Sequence, residues 1–225
     1  VNIGDVPNDQ IVHSFPSALI PSAVFGLDMG NMVVTGSPHN DANTFPPGDN
    51  LYALVSEDDT GDSLDSSEQD IVSVKGTFHA VDGVVDKIYT RLDLDGNCCD
   101  EGELLSPWYM YGTIIINPAK PDAFYVLAFA DGGFGQLHEG VLKITGDILG
   151  GTINEFEYIP TDEFEYSTSG NSLQMSIPMN VITNDPDWGP WPNSFGGVLL
   201  SGMTLKVVLD TTTPTGFQSY LSDMT

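Results

Sequence analysis

Basic residues are scarce in this 225-residue chain: six Lys and Arg stand against 32 Asp and Glu, so the formal net charge is -26 at pH 7. Nucleic acid is bound by Lys and Arg patches that displace counterions from phosphates, and this composition therefore excludes nucleic acid as a partner. An anionic membrane surface is disfavoured for the same reason. All the basic residues follow position 74: Lys75, Lys87, Arg91, Lys120, Lys143 and Lys206.

Long apolar runs and helical periodicity are also missing. No apolar stretch reaches the roughly 18 residues that a membrane-spanning helix needs, so no membrane span is predicted. No window keeps the apolar spacing of three and four residues that marks an amphipathic helix, and 24 Gly with 15 Pro interrupt almost every segment. The first residue is Val1 and not Met, which leads us to expect a secreted, extracellular chain whose signal peptide has been removed.

Residue sets for catalysis are few. The four His are isolated from one another and no G-x-S-x-G is present, which argues against a serine triad or a zinc-protease site. The near-repeat FEYIPTDEFEY places Glu155, Glu157, Glu163 and Glu165 on strands, where two of them could flank a glycosidic bond. Glutamates on the solvent face of a strand are far more common, so we predict that the protein is not an enzyme.

Cysteine occurs only as one adjacent pair, Cys98 and Cys99. Two sulfurs are too few for a structural zinc site, and the surrounding oxygen-bearing side chains favour a hard ion instead. Three states are open to the pair in an oxidising compartment: a vicinal disulfide, links between chains, or free thiols. The sequence alone does not choose among them.

Short segments rich in β-branched and aromatic residues recur along the chain, separated by turn sequences such as VDGV, DLDGN and STSGN. They predict an all-β fold, a two-sheet antiparallel jelly-roll-like β-sandwich with long acidic loops, forming a single domain over residues 23–225. The predicted strands are Ala23–Val34, Leu51–Val55, Ile71–Val81, Val84–Leu94, Trp108–Asn117, Ala123–Ala130, Gly140–Ile144, Glu155–Ile159, Glu163–Ser167, Leu173–Pro178, Val198–Leu200 and Met203–Leu209.

Residues 1–22 are interpreted as an extended N-terminal arm. Prolines at positions 7, 16 and 21 discourage a central strand but permit an extended edge segment. Such an arm either lies on its own sheet or adds as a donor strand to the sheet edge of a neighbouring subunit. The apolar residues that would make the contacts are Ile11, Val12, Phe15, Leu19 and Ile20.

The strongest local signal is the acidic loop LDLDGNCCDEGE, residues 92–103. Strand alternation puts Leu92 and Leu94 on one face and aims Asp93 and Asp95 together from the other. Carboxylates at this density resemble a calcium loop, although the helices that flank an EF-hand loop are missing. The alternative is an acidic hairpin turn. The predicted ligands are Asp93, Asp95, Asn97, Asp100, Glu101 and Glu103.

A second acidic loop, SEDDTGDSLDSSEQD, covers residues 56–70. Its carboxylates repel one another, and a divalent cation would relieve that repulsion. Calcium is the predicted cofactor because Asp, which outnumbers Glu by 23 to 9, is a short oxygen ligand suited to hard cations. The alternative is a solvated acidic surface, as in a salt-adapted protein. The predicted ligands here are Glu57, Asp58, Asp59, Asp62 and Asp65.

The three tryptophans lie in two aromatic segments, DPDWGPWPNSFGG and WYMYG. Exposed aromatic faces can stack on sugars, and the same residues are enriched in cores and subunit interfaces. We favour core or interface packing and keep a sugar-binding role as the alternative. The residues concerned are Trp188, Trp191 and Trp108.

Between Val81 and Ile182 the order VDGVVDKIYTRLDLDGN, an apolar strand pair ending in FADGG, and NSLQMSIPMNVI resembles secreted β-sandwiches of the carbohydrate-binding-module type. That resemblance implies a sandwich fold. The processed start, acidic balance and N-terminal arm together also look like the subunits of archaeal extracellular cannulae. This second resemblance implies calcium-dependent tubes of jelly-roll-like proteins joined by donor strands.

Two functions follow as hypotheses. In the first, the chain is a structural subunit of an extracellular filament, tube or surface layer, a homopolymer assembled by calcium bridging of acidic loops and by strand addition from a neighbour. In the second, it is a monomeric calcium-containing carbohydrate-binding module with a polysaccharide partner.

Overall fold

The computed structural model describes residues 32–34, 43–64, 66–82, 84–99, 108–131, 138–147, 152–191, 197–209 and 217–225. The described residues are mostly β-strand, with one short helix, α1 (Asn180–Thr183), and single 3₁₀ turns at Asp49–Leu51 and Ser67–Gln69. The strands are β1 (Met32–Val34), β2 (Ala53–Glu57), β3 (Ile71–Val81), β4 (Val84–Leu94), β5 (Trp108–Ile116), β6 (Ala123–Asp131), β7 (His138–Asp147), β8 (Thr152–Ile159), β9 (Glu165–Ser169), β10 (Ser172–Pro178), β11 (Gly197–Leu209) and β12 (Phe217–Met224).

The strands form two antiparallel sheets. The seven-stranded sheet has the order β1-β11-β5-β6-β7-β8, with β12 also paired to β11, and the five-stranded sheet has the order β2-β3-β4-β10-β9. The prediction of an all-β fold with two antiparallel sheets is confirmed, whereas the finer jelly-roll connectivity stays a prediction. The predicted arm, residues 1–22, lies outside the described residues.

A core cluster fills the space between the two sheets. Alternate residues of β4, including Ile88 and Leu92, face inward and are fully buried. They belong to the same cluster as Ile115 and Leu127 of the seven-stranded sheet. Because successive side chains of a strand point to opposite faces, one apolar residue in two is enough to cover the inner face of the five-stranded sheet.

The seven-stranded sheet is apolar on its outer face as well. Ile114 and Ile116, which flank the inward-facing Ile115, belong to a second buried cluster with Val126 and Leu199. The outer face of the five-stranded sheet carries polar side chains instead, such as Ser73 and Gln174. The five-stranded sheet therefore has an apolar inner face and a polar outer face. The seven-stranded sheet has buried apolar side chains on both faces.

Two strand predictions near the C-terminus were wrong. The segments Val198–Leu200 and Met203–Leu209 form the single 13-residue strand β11, and β12 was not predicted. In the sequence, Ser201 and Gly202 interrupt the apolar residues and suggest the end of a strand. In the structure, Gly202 lies inside β11 at a point where the two sheets approach closely. A Cβ atom there would lie 2.9 Å from Cγ2 of Val74. No helix among the described residues is long and apolar enough to cross a membrane.

Candidate functional site

Three carboxylates from different parts of the chain meet at one end of the sandwich. Asp58 directly follows β2, Asp62 lies in the loop between β2 and β3, and Asp223 lies in β12. One oxygen from each can be chosen so that all three lie within 4.8 Å of one another. We call Asp58, Asp62 and Asp223 the carboxylate cluster. It joins a loop of the five-stranded sheet to the last strand of the seven-stranded sheet.

Backbone hydrogen bonds hold the cluster in place. The Oδ2 atom of Asp223 accepts a bond of 2.6 Å from the Ile71 N–H, and its Oδ1 accepts one of 2.8 Å from the Met224 N–H. The Leu64 N–H donates to the Ser222 carbonyl oxygen at 2.9 Å. The bonds from Ile71 and Leu64 link the five-stranded sheet and its loop to β12, so they hold the loop and β12 together at the cluster.

A fourth carboxylate, Asp70, lies near the cluster and is 1% exposed. Its Oδ2 accepts a 2.5 Å hydrogen bond from the Gly61 N–H, and its Oδ1 is buried without a hydrogen-bond partner. The Oδ2 atom of Asp58 is likewise buried and unpaired. Within the described part of the chain, no Lys or Arg forms an ion pair with these four carboxylates. Among the described residues, these carboxylates therefore share no ion pair that would offset their charge.

The accumulated charge and burial change the ionisation of the cluster. Burial, together with the charges of Asp223, Asp62 and Asp70, raises the pKa of Asp58 to about 6, although a hydrogen bond from the Asp59 N–H opposes the increase. Burial also raises the pKa of Asp223, with the charges of Asp62 and Asp70 adding to the effect. Carboxylates whose ionised form is disfavoured in this way gain most from a bound cation.

Oxygen ligands without nitrogen or sulfur suit a hard cation such as Ca²⁺, which takes about six to eight oxygens at roughly 2.3–2.6 Å. Oxygens within 4.8 Å of one another can share one such ion. Asp58 also lines a polar cleft of about 840 Å³ whose walls include Glu57 and Asp59. Lys75 and Arg91 line the same cleft, which therefore carries charges of both signs.

The raised pKa of Asp58 predicts an unusual pH dependence of stability. Between its ordinary pKa of 3.8 and its folded-state pKa of about 6, folded Asp58 holds a proton that the unfolded chain has released. By linkage, stability then increases as the pH falls through this window. With a chelator present, the unfolding temperature should be about 1–3 °C higher near pH 5 than near pH 7.5 through this group.

Scanning calorimetry of the wild type and of Asp58→Asn isolates that contribution. The variant should lose the rise, and the exposed control Asp162→Asn should keep it. A rise of equal size in wild type and Asp58→Asn would show that Asp58 is not the titrating group.

In the other predicted calcium loop, residues 92–103, the predicted ligands that the structure describes do not come together at one point. Asp93 is buried, and its oxygens accept hydrogen bonds from Ser73, Lys75 and Arg91. Burial opposes ionisation of Asp93, but the bonds from Lys75 and Arg91 outweigh it and lower its pKa. Asp95 and Asn97 are exposed. Calcium binding by this loop stays a prediction, because Asp100, Glu101 and Glu103 lie outside the described residues.

The 56–70 loop supplies two members of the cluster, Asp58 and Asp62. Glu57 and Asp59 are exposed and line the cleft, and Asp65 lies outside the described residues. Sequence reasoning missed Asp223, which is 161 positions away from Asp62 in the sequence. No local signal marked Asp223, because apolar and polar residues do not alternate in FQSYLSDM, the segment that forms β12.

Cys98 and Cys99 form a vicinal disulfide, the first of the three states left open by the sequence. A formed disulfide is typical of an oxidising compartment. Cys98 is buried and its N–H donates to the Gly170 carbonyl oxygen at 2.8 Å. The turn that contains the disulfide is therefore bonded to the β9–β10 hairpin.

The tryptophans divide by burial. Trp188 is completely buried and meets the rings of Tyr125 and Trp191 at centroid distances of 5.3 and 5.8 Å. Trp191 is partly buried against the core. The side chain of Trp108 lies outside what the structure describes. A sugar cannot stack on Trp188, and the structure agrees with core packing for that residue.

Comparisons with protein-family models, with curated proteins and with solved structures gave no match. The functional argument therefore depends on the carboxylate cluster and its surroundings.

Proposed function

We propose that this chain is a calcium-binding structural subunit of an extracellular filament, tube or surface layer. The observation that supports the proposal most is the carboxylate cluster, in which Asp58 and Asp62 of one sheet's loop meet Asp223 of the other sheet. A calcium ion there would cross-link the two sheets within a subunit. It would also remove part of the charge that makes copies of the chain repel one another.

Calcium has two consequences for assembly in this proposal. At a net charge of -26, association of identical copies is opposed by repulsion that falls as cations bind. A cross-linked sandwich also presents its sheet edges in fixed positions. Among the described strands, β1, β2, β8, β9 and β12 each pair with a single neighbour, and an extended arm from another copy can add to an edge of this kind.

The donor segment in this proposal is the N-terminal arm, with Ile11, Val12, Phe15, Leu19 and Ile20 as its apolar contacts. The disulfide supports an extracellular location, since oxidising compartments are where such bonds persist. The carbohydrate-binding alternative gains no comparable support, because Trp188 is buried and Trp191 packs on the core.

Electron microscopy of the purified protein with and without calcium tests the proposal. We expect polymers in calcium and dispersed subunits after chelation. Magnesium chloride at the same ionic strength is the control, because it screens charge equally but suits an irregular oxygen site less well. Polymers that survive chelation and rebuild without calcium would contradict the calcium mechanism. Dispersed subunits under every condition would contradict the structural role.

A further inference from the structure

Asp70 does not belong to the carboxylate cluster, yet its placement is unusual. It is 1% exposed, and it keeps one carboxylate oxygen without a hydrogen-bond partner. Burying an ionised carboxylate is costly unless a cation or hydrogen bonds compensate it. Asp70 is thus a buried carboxylate with one unpaired oxygen, and its other oxygen accepts a hydrogen bond from the Gly61 N–H of the loop carrying Asp58 and Asp62.

The backbone of Asp70 is hydrogen-bonded to the turn at residues 95–99, which contains the disulfide. The Asp95 N–H donates to the Asp70 carbonyl oxygen at 2.9 Å, and the Gly96 N–H donates to the Ser67 carbonyl oxygen at 2.6 Å. The turn is itself anchored, since the Cys98 N–H donates to the Gly170 carbonyl oxygen. A continuous set of hydrogen bonds thus runs from the disulfide turn through Asp70 to Gly61.

Gly96 is the point of closest approach in this arrangement. A Cβ atom on residue 96 would lie 2.7 Å from the Glu68 nitrogen and 2.8 Å from the Ser67 carbonyl carbon. These are backbone atoms, so a side chain there must push the 66–70 segment away. Because Gly96 has no side chain, the 95–99 turn can pack directly against the backbone of the 66–70 segment.

We propose that Asp70 is a positioning residue for the proposed cation site, and that the 95–99 turn fixes it there. The Asp70 carboxylate does this in two ways. Its charge adds to the field of Asp58, Asp62 and Asp223, and its Oδ2 fixes Gly61 and with it the loop between Asp58 and Asp62. The inference rests on the proposed function, because it assumes that the cluster binds calcium.

Calcium titrations against a fluorescent chelator test the proposal with Asp70→Asn and Gly96→Ala. Asp70→Asn keeps an acceptor for Gly61 but removes the charge, and Gly96→Ala keeps the charge but displaces the segment. Residues that orient the ligands of a metal ion without binding the ion themselves typically contribute about tenfold or more to metal affinity. We expect each variant to raise the calcium dissociation constant by about tenfold. Gly48→Ala is the matched control, since its Cβ would meet only the Asn50 side chain.

Unfolding temperatures in chelator separate positioning from general destabilisation. If Asp70→Asn and Gly96→Ala bind calcium as tightly as wild type, the inference is overturned while the proposed function stands. A lower unfolding temperature with unchanged calcium affinity also overturns it, because that is the result of a purely structural role. If wild type binds no calcium, the proposed function fails and the inference fails with it.

Discussion

Calcium should raise the unfolding temperature of the wild-type protein, and the double variant Asp58→Asn/Asp62→Asn should no longer respond to it. A ligand at about 100 times its dissociation constant stabilises the folded state by about 2.7 kcal/mol. For a chain of this length each kcal/mol corresponds to roughly 2–4 °C. The expected shift is therefore roughly 5–10 °C in wild type, measured by scanning calorimetry in calcium and in chelator.

The variant removes two charges from the carboxylate cluster with little change of shape. In Asp58→Asn the amide oxygen can still accept the hydrogen bond that the Asp59 N–H donates to Oδ1 of Asp58. The matched control is Asp162→Asn/Glu163→Gln, which removes two exposed charges elsewhere and should keep the full calcium response. An equal response in the cluster variant and in wild type would refute the assignment of calcium to Asp58, Asp62 and Asp223.

Trp188→Ala should destabilise the protein by about 3–5 kcal/mol, the usual cost of removing a fully buried aromatic side chain. Trp188 is 0% exposed, and its backbone carbonyl oxygen accepts a 2.8 Å hydrogen bond from Nδ2 of Asn117. Its loop is also tied down by Lys143, whose Nζ lies 2.8 Å from Oδ2 of Asp185 and Oδ2 of Asp187. The loop is thus unable to collapse freely into the space left by the indole.

Denaturant unfolding of Trp188→Ala and Trp191→Ala compares the two indoles directly. Trp191 is only partly buried, so its replacement should cost less than half as much. A glycan array run on Trp191→Ala and wild type completes the comparison. Equal stability of wild type and Trp188→Ala would mean that Trp188 is not part of the core. Glycan binding lost in Trp191→Ala would revive the carbohydrate-binding alternative.

The sequence predicted the strands best where both signals, alternation and turn residues, agreed. The bounds predicted for β3 and β4 match the structure, because VDGV marks the turn between them and alternation marks their faces. The prediction failed at β11 because Ser201 and Gly202 interrupt the apolar residues of what is one continuous strand. It failed at β12 because FQSYLSDM has too few apolar residues to stand out. β12 pairs antiparallel with β11, the strand that precedes it in the sequence, so the missing signal was the strand itself and not a distant partner.

The candidate site shows the same division. Acidic density drew attention to Asp58 and Asp62, which lie close together in the structure, but it could not supply Asp223, which the sheet pairing brings from the end of the chain. Alternation kept Asp93 apart from the inward-facing side chains and placed Arg91, two positions earlier in β4, on the same face as Asp93. It could not reveal Lys75, whose position beside Asp93 depends on the register in which β3 pairs with β4. Ligand sets that depend on register are invisible until the strands are paired.

The seven-stranded sheet, with buried apolar residues on both of its faces, limits where another molecule can meet this protein. Ile114, Val126 and Leu199 are between 0% and 4% exposed on the outer side, whereas Tyr158 of β8 is 52% exposed. The outer side around the three buried residues is therefore not an open contact surface. A charged residue introduced there should be as harmful as one between the sheets. In the proposed assembly, contacts between copies would use strand edges, acidic loops and the polar face of the five-stranded sheet. All of these are places where salt and divalent ions have their strongest influence.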